Sequence, residues 1–130
     1  MGESESRCLM KIEWTIALPQ SGDVPVWVSV AKLEREWQRS KNEYIGAGGD
    51  SAMPGKYENF GKWIISASHV EMPEVCIVDG FVRFSNGRHR FAWLRDHGMT
   101  TLQVSIQPSD VTSFETKFSS QDQTSQWFKS

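Results

Sequence analysis

Asp79-Gly80 stands between two short apolar runs, EVCIV and FVRF, and few dipeptides restrict a chain as strongly. Both residues tolerate the positive φ that a two-residue turn between antiparallel strands demands, so VCIVDGFVRF is predicted to be a β-hairpin. SNGRHR follows at once. Ser85 or Asn86 is suited to cap a helix, residues 88–97 suit its body, and Gly98 is placed to end it in the left-handed conformation that glycine adopts at least cost. TLQVSI then reads as a further strand. Hairpin, glycine turn, short helix and strand, in that order, put the backbone amides of residues 86–89 at a helix N-terminus, where an anion is most easily held.

The punctuation upstream follows the same style. In CLMKIEWTIAL, Leu9, Ile12, Trp14, Ile16 and Leu18 mostly alternate as in a half-buried strand, which Pro19, Gly22 and Asp23 break. VPVWVSV is rich in β-branched residues and leads at Ser29 or Val30 into AKLEREWQRSKN, where Leu33 and Trp37 lie one helical turn apart. GAGGDSAMPG reads as a mobile glycine-rich connection. KYENFGKWIISA then places Phe60, Trp63 and Ile64 on one helical face, with Gly61 a local weakness, before Pro73 marks the next boundary. Trp14, Trp37, Trp63 and Trp93 are expected to fill the core, and Trp127 to offer a partner contact.

With 130 residues the chain has room for one domain, and a hydrophobic fraction of 38% is enough to build a core. A net charge of -2 excludes a DNA-coating protein that is basic throughout, but not a local basic site. The apolar runs fall far short of a bilayer span and MGESESR has no signal-peptide hydrophobic region, so a cytoplasmic protein without membrane insertion is expected. Cys8 and Cys76, with no CxxC pairing, indicate neither a disulfide framework nor a zinc ribbon. Residues 1–8 are expected to be a frayed lead, 9–108 the domain, and 109–130 a polar appendage of which Phe114, Phe118, Trp127 and Phe128 dock some part.

Within residues 83–97 lie Arg83, Arg88, His89, Arg90, Arg95 and His97 against the single acid Asp96, in a chain that is acidic in total. Phosphate is bound by amide donors and fixed positive charge, and arginine adds bidentate hydrogen bonds in a plane that suits its oxygens. The bland alternative is a hairpin-to-helix junction whose arginines are merely solvated.

At these residues the sequence resembles the ParB/sulfiredoxin superfamily, whose glycine turn reads GERR in partition proteins and GGCHR in sulfiredoxins; here it reads NGRHR. The resemblance extends through Gly98 and TLQVSI, and upstream to VPVWVSV and KYENFGKWIISA. It implies a compact single-domain α/β (α+β) fold, a small mixed sheet with flanking helices. It further implies a nucleotide or DNA phosphate held by Gly87, Arg88, His89 and Arg90, with Ser85, Asn86 and Lys56 alongside. His89 and Arg90 would be the catalytic pair, and ATP or another nucleoside triphosphate, with Mg²⁺, the cofactor.

Departures from the family pattern limit what carries over. The sulfiredoxin nucleophilic cysteine and the glutamate of GERR are both replaced by Arg88, which argues against sulfinic acid reduction and against centromere binding. The small plasmid-encoded bacterial fertility-inhibition proteins of this fold look closer. Their resemblance implies ATPase and metal-dependent DNase activities and a block on conjugative DNA transfer. A non-catalytic module that inhibits a conjugation or type IV secretion component is the alternative. Glu71, Glu74, Asp79 and Asp96 are the nearest acids for a metal or water, although Asp79 is more simply a turn residue and Asp96 a helix-surface charge. His97 suits a helix C-terminus, and His69 is assigned no role.

Overall fold

Alternation along VPVWVSV turns Val26 and Val28 inward and leaves Pro25 exposed, which suits an outer strand because proline has no N–H for a ladder. The computed structural model of the chain describes residues 8–16, 19–67, 69–123 and 126–129. Its elements are β1 (Cys8–Lys11), β2 (Glu13–Thr15), β3 (Val24–Ser29), α1 (Val30–Trp37), α2 (Lys56–Ile64), β4 (His69–Glu71), β5 (Glu74–Val78), β6 (Phe81–Asn86), α3 (Arg88–Asp96), β7 (Thr101–Ile106), α4 (Val111–Phe118) and β8 (Gln126–Lys129). The main sheet runs β3-β7-β5-β6, so β3 is indeed at an edge. β7 is antiparallel to β3 and parallel to β5, while β5 and β6 form the expected antiparallel hairpin. The turn residues Asp79 and Gly80 both have positive φ, 53° and 82°. This is a small single-domain α+β fold, a mixed sheet flanked by helices.

β7 is central and nearly continuous in burial, with Leu102, Val104 and Ile106 fully inaccessible. Around it an aromatic cluster joins three elements. The Trp37 ring of α1 lies 4.7 Å from Phe84 of β6 and 5.5 Å from Phe91 of α3, and the last two are 5.1 Å apart. Edge-on rings at such spacings add about 0.5–1.5 kcal/mol per pair to the burial itself.

Several expectations are corrected. CLMKIEWTIAL is not one strand: β1 pairs with β8 and β2 runs parallel to β4, and Leu18 lies outside the described residues. Within the C-terminal segment, Phe114 and Phe118 of α4 are buried, as their docking was expected to make them, and α4 packs on β3 and α1. Of the expected lead, residues 1–8, Cys8 begins β1 and the rest lies outside the described residues, as does the side chain of Trp127. Trp37 and Trp93 do fill the core and Trp14 is half-buried, but Trp63 is 50% exposed. The buried positions of α2 are Tyr57, Gly61 and Ile64, at i, i+4 and i+7, which turns Trp63 to the flank.

Gly61 is better understood as a packing residue than as a helix weakness. A Cβ there would sit 2.8 Å from Trp93 Cε2 and closer still to Nε1, so the missing side chain is what brings α2 and α3 together. Helix propensity alone predicts that Gly61→Ala stabilises by about 1 kcal/mol. Overpacking is expected to reverse the sign and destabilise by about 1–3 kcal/mol. Urea unfolding decides: a midpoint above wild type would show that α2 and α3 yield without cost.

Candidate functional site

The glycine turn is built differently from its sequence expectation. β6 continues through Asn86, and Gly87 rather than Ser85 or Asn86 occupies the cap position of α3, in the left-handed region at φ 87° with no side-chain cap. A second demand fixes glycine here. A Cβ would stand 2.9 Å from Pro73 Cα and 2.7 Å from Arg90 Nη2, so Gly87 makes room for a guanidinium folded back against the turn. Ser85 Oγ turns toward Glu74, and Ser85 and Asn86 are both exposed.

The motif's charged side chains part company. Arg88 Nη1 donates to the Glu43 carbonyl at 2.8 Å, which engages it with the segment after α1. His89 Nε2 accepts the Met53 N–H at 3.1 Å, which sets the neutral ring as the Nδ1–H tautomer. Burial, then the charges of Arg88 and Lys56, hold His89 below its ordinary pKa. Arg90 is different: its Nε and Nη2 are buried and have no hydrogen-bond partner among the described residues. Burial also lowers its pKa, against the opposing fields of Glu71 and Glu74.

Arg90 lines a cleft of about 330 Å³ together with Thr15 of β2, Phe60 and Trp63 of α2, and His69 and Glu71 of β4. Three elements thus converge on the cation that α3 carries. Such a volume lies at the lower end of small-molecule sites, about 300–1,000 Å³. Thr15 was not picked out from the sequence, Trp63 was assigned to the core and His69 to no role. The i, i+4, i+7 spacing of Tyr57, Gly61 and Ile64 was the signal that would have turned Trp63 outward. His69 Nε2 lies 2.9 Å from Glu13 Oε1 at the exposed face of the β2–β4 pair. Lys56 opens α2 and is exposed.

The other end of α3 is occupied. Asp96, expected as a surface charge, is only 14% exposed; its Oδ2 accepts the Tyr57 hydroxyl at 2.7 Å and the Gly48 N–H at 2.9 Å, and its Oδ1 accepts Arg95 Nε at 2.8 Å. Burial would raise its pKa, but hydrogen bonds from Arg95 and Tyr57, with the Arg95 charge and the Gly48 N–H, bring it below the ordinary value. The glycine-rich connection read as mobile is therefore fastened to α3. His97 caps α3 with Nδ1 2.8 Å from the Trp93 carbonyl and its ring stacked on Trp93. Burial pushes the Cys76 thiol upward, away from the thiolate that a nucleophile requires. Among the described residues no group of three or more His, Cys, Asp or Glu is placed to hold a metal, and no helix is long and apolar enough to cross a membrane.

No protein-family model matches the chain, and no curated protein matches it. Among solved structures, the crystal structure of Oncogenic Suppression Activity Protein, a plasmid fertility inhibition factor, in a gold(I) cyanide derivative, is similar with a TM-score of 0.59. The likeness is one of fold. Sequence identity is 19% over 76% of this chain, which spans 58% of that protein.

His89 gives the site a pH signature. Its folded-state pKa is below the ordinary value, so its contribution to stability is complete above about pH 6.5 and is lost as the pH falls through the folded value. His89→Gln keeps an acceptor for the Met53 N–H but does not titrate. It is expected to flatten the stability profile between about pH 7 and pH 5 while staying within about 0.5 kcal/mol of wild type at higher pH. Urea unfolding across that range measures the difference, and identical slopes would remove His89 as its source.

Proposed function

We propose that the cleft at Arg90 binds the phosphate of a nucleotide or of DNA, and that the protein acts as a plasmid-type fertility-inhibition factor. The observation that carries this reading is the buried guanidinium whose Nε and Nη2 lack partners among the described residues. Buried donors without hydrogen bonds are costly, and an anionic ligand is the natural compensation. The first turn of α3 adds N–H groups and dipole beside it. Trp63 offers an exposed ring on which a base can stack at the edge of the same cleft.

The resemblance of NGRHR to the nucleotide-binding turns of its superfamily, and the fold likeness to a fertility inhibition factor, support the same reading. Arg88 and His89 support the turn in this reading, and Arg90 meets the phosphate. Lys56 contributes distant positive charge. Glu71 is the one carboxylate among the residues lining the cleft, so they do not fit a resident Mg²⁺. A second reading, a non-catalytic module that inhibits a conjugation or secretion component, is favoured by the half-exposed Trp63 and Ile65 on neighbouring positions of the α2 end.

Calorimetry with ATP, CTP, single-stranded DNA and inorganic phosphate tests the proposal. Arg90→Leu is expected to weaken all four at least about tenfold and to melt no lower than wild type, since it removes two buried donors that have no acceptor. Trp63→Ala is expected to weaken the nucleotides and DNA but not phosphate. Undiminished binding by Arg90→Leu would refute the site. If Arg90→Leu abolishes binding yet a donor strain expressing it still blocks conjugation, the interaction-module reading stands in its place.

A further inference from the structure

β6 is an outer strand, yet its open side is already closed by side chains. Ser40 Oγ donates to the Val82 carbonyl at 2.5 Å, and Glu43 Oε2 accepts the Phe84 N–H at 2.8 Å. A partner arriving there meets side chains and cannot simply add a strand. Those side chains border a second cleft, about 350 Å³, between residues 39–43 and the hairpin, and it shares no lining residue with the Arg90 cleft.

The chemistry of this second cleft is mixed. Val78 and Phe81 form an apolar wall and are 43% and 38% exposed. Arg39, Lys41 and Arg83 surround it with positive charge, in a chain whose net charge is -2. Arg39 is stationed by Glu36 at 2.8 Å and lies 4.8 Å over the Phe81 ring. Of the two acids present, Glu43 is 13% exposed and committed to Trp37 Nε1 and the Phe84 N–H, with Arg83 Nε 3.6 Å from its other oxygen, which leaves Asp79 as the only exposed one among the lining residues. Three cations against two carboxylates leave the lining one positive charge in excess, and Lys41 is the lining cation that no ion pair among the described residues engages.

We propose that this cleft docks an acidic peptide segment of a protein partner, its carboxylates meeting Arg39, Lys41 and Arg83 while an apolar side chain covers Val78 and Phe81. Charge complementarity names the sign of the partner, and the exposed apolar wall names the second element of its chemistry. A nucleic-acid strand is a poorer fit, because one face of the Phe81 ring is already covered by Arg39, which limits base stacking.

Fluorescence anisotropy on the full chain tests the proposal with three labelled probes: a peptide alternating glutamate and leucine, the same peptide with lysine for glutamate, and an oligothymidine strand. The wild type is expected to bind the acidic peptide saturably and the lysine peptide not at all. Lys41→Glu and Phe81→Ser are each expected to weaken it by about tenfold. Lys41 has no acidic partner among the described residues, so Lys41→Glu remains decisive if Phe81→Ser lowers the melting temperature. Arg90→Leu is expected to leave peptide binding unchanged, which separates this site from the phosphate cleft. Absence of saturable binding, equal binding by wild type and Lys41→Glu, or displacement of the peptide by oligothymidine would overturn the proposal.

Discussion

Arg95 is the side chain on which the arrangement of this protein turns. Its Nη1 donates to Glu34 Oε1 at 3.0 Å and to the Ile45 carbonyl at 2.6 Å, its Nη2 to the Gly46 carbonyl at 3.0 Å, and its Nε to Asp96 Oδ1 at 2.8 Å. A guanidinium that is only 10% exposed survives in the interior because its donor directions are met and two carboxylates balance its charge. Burial opposes the charged form, but the bonds to Asp96 and Glu34 prevail and hold its pKa above the ordinary value. Through this one group α3 is tied to α1 and to the glycine-rich segment, and Asp96 passes the tie on to Tyr57 of α2. Tyr57 in turn is kept protonated well above its usual range by burial and then by its bond to Asp96.

One turn and a half earlier on the same helix, Arg90 sits under the opposite conditions. Nothing described meets its Nε or Nη2, and the turn glycine is pressed against it. The two arginines share a helix and a chemistry and differ in what surrounds them. An arginine saturated by internal acceptors organises structure, whereas one stored without acceptors in a cleft carries a standing electrostatic deficit that a phosphate is suited to cancel.

The hairpin shows how much of the molecule was legible beforehand. Asp79-Gly80 gave the turn, Gly98 gave the end of α3, and Ser29 gave the start of α1 by accepting the Lys32 N–H at 3.3 Å. These features are local, and a few neighbouring dihedrals decide them. The two small pairings, β1 with β8 and β2 with β4, were not legible, because their partners lie far apart and each run is too short to carry a period. The docking of Phe114 and Phe118 was legible, but the surface that receives them was not. An apolar pair one helical turn apart announces that a helix docks, whereas the strand it covers is set by packing.

At the candidate site the division is sharper. By itself the amino-acid order determined that a hairpin would deliver several cations to a glycine turn at a helix start, since turn chemistry and charge are written in adjacent residues. Which of those cations would be left without a partner was decided by the tertiary structure alone. Arg88 and Arg95 find acceptors 45 and 50 residues away, at Glu43 and Ile45, and His89 finds the Met53 N–H 36 residues away. Donors are a property of the sequence, but acceptors within reach are a property of the packed chain, and only packing could single out Arg90.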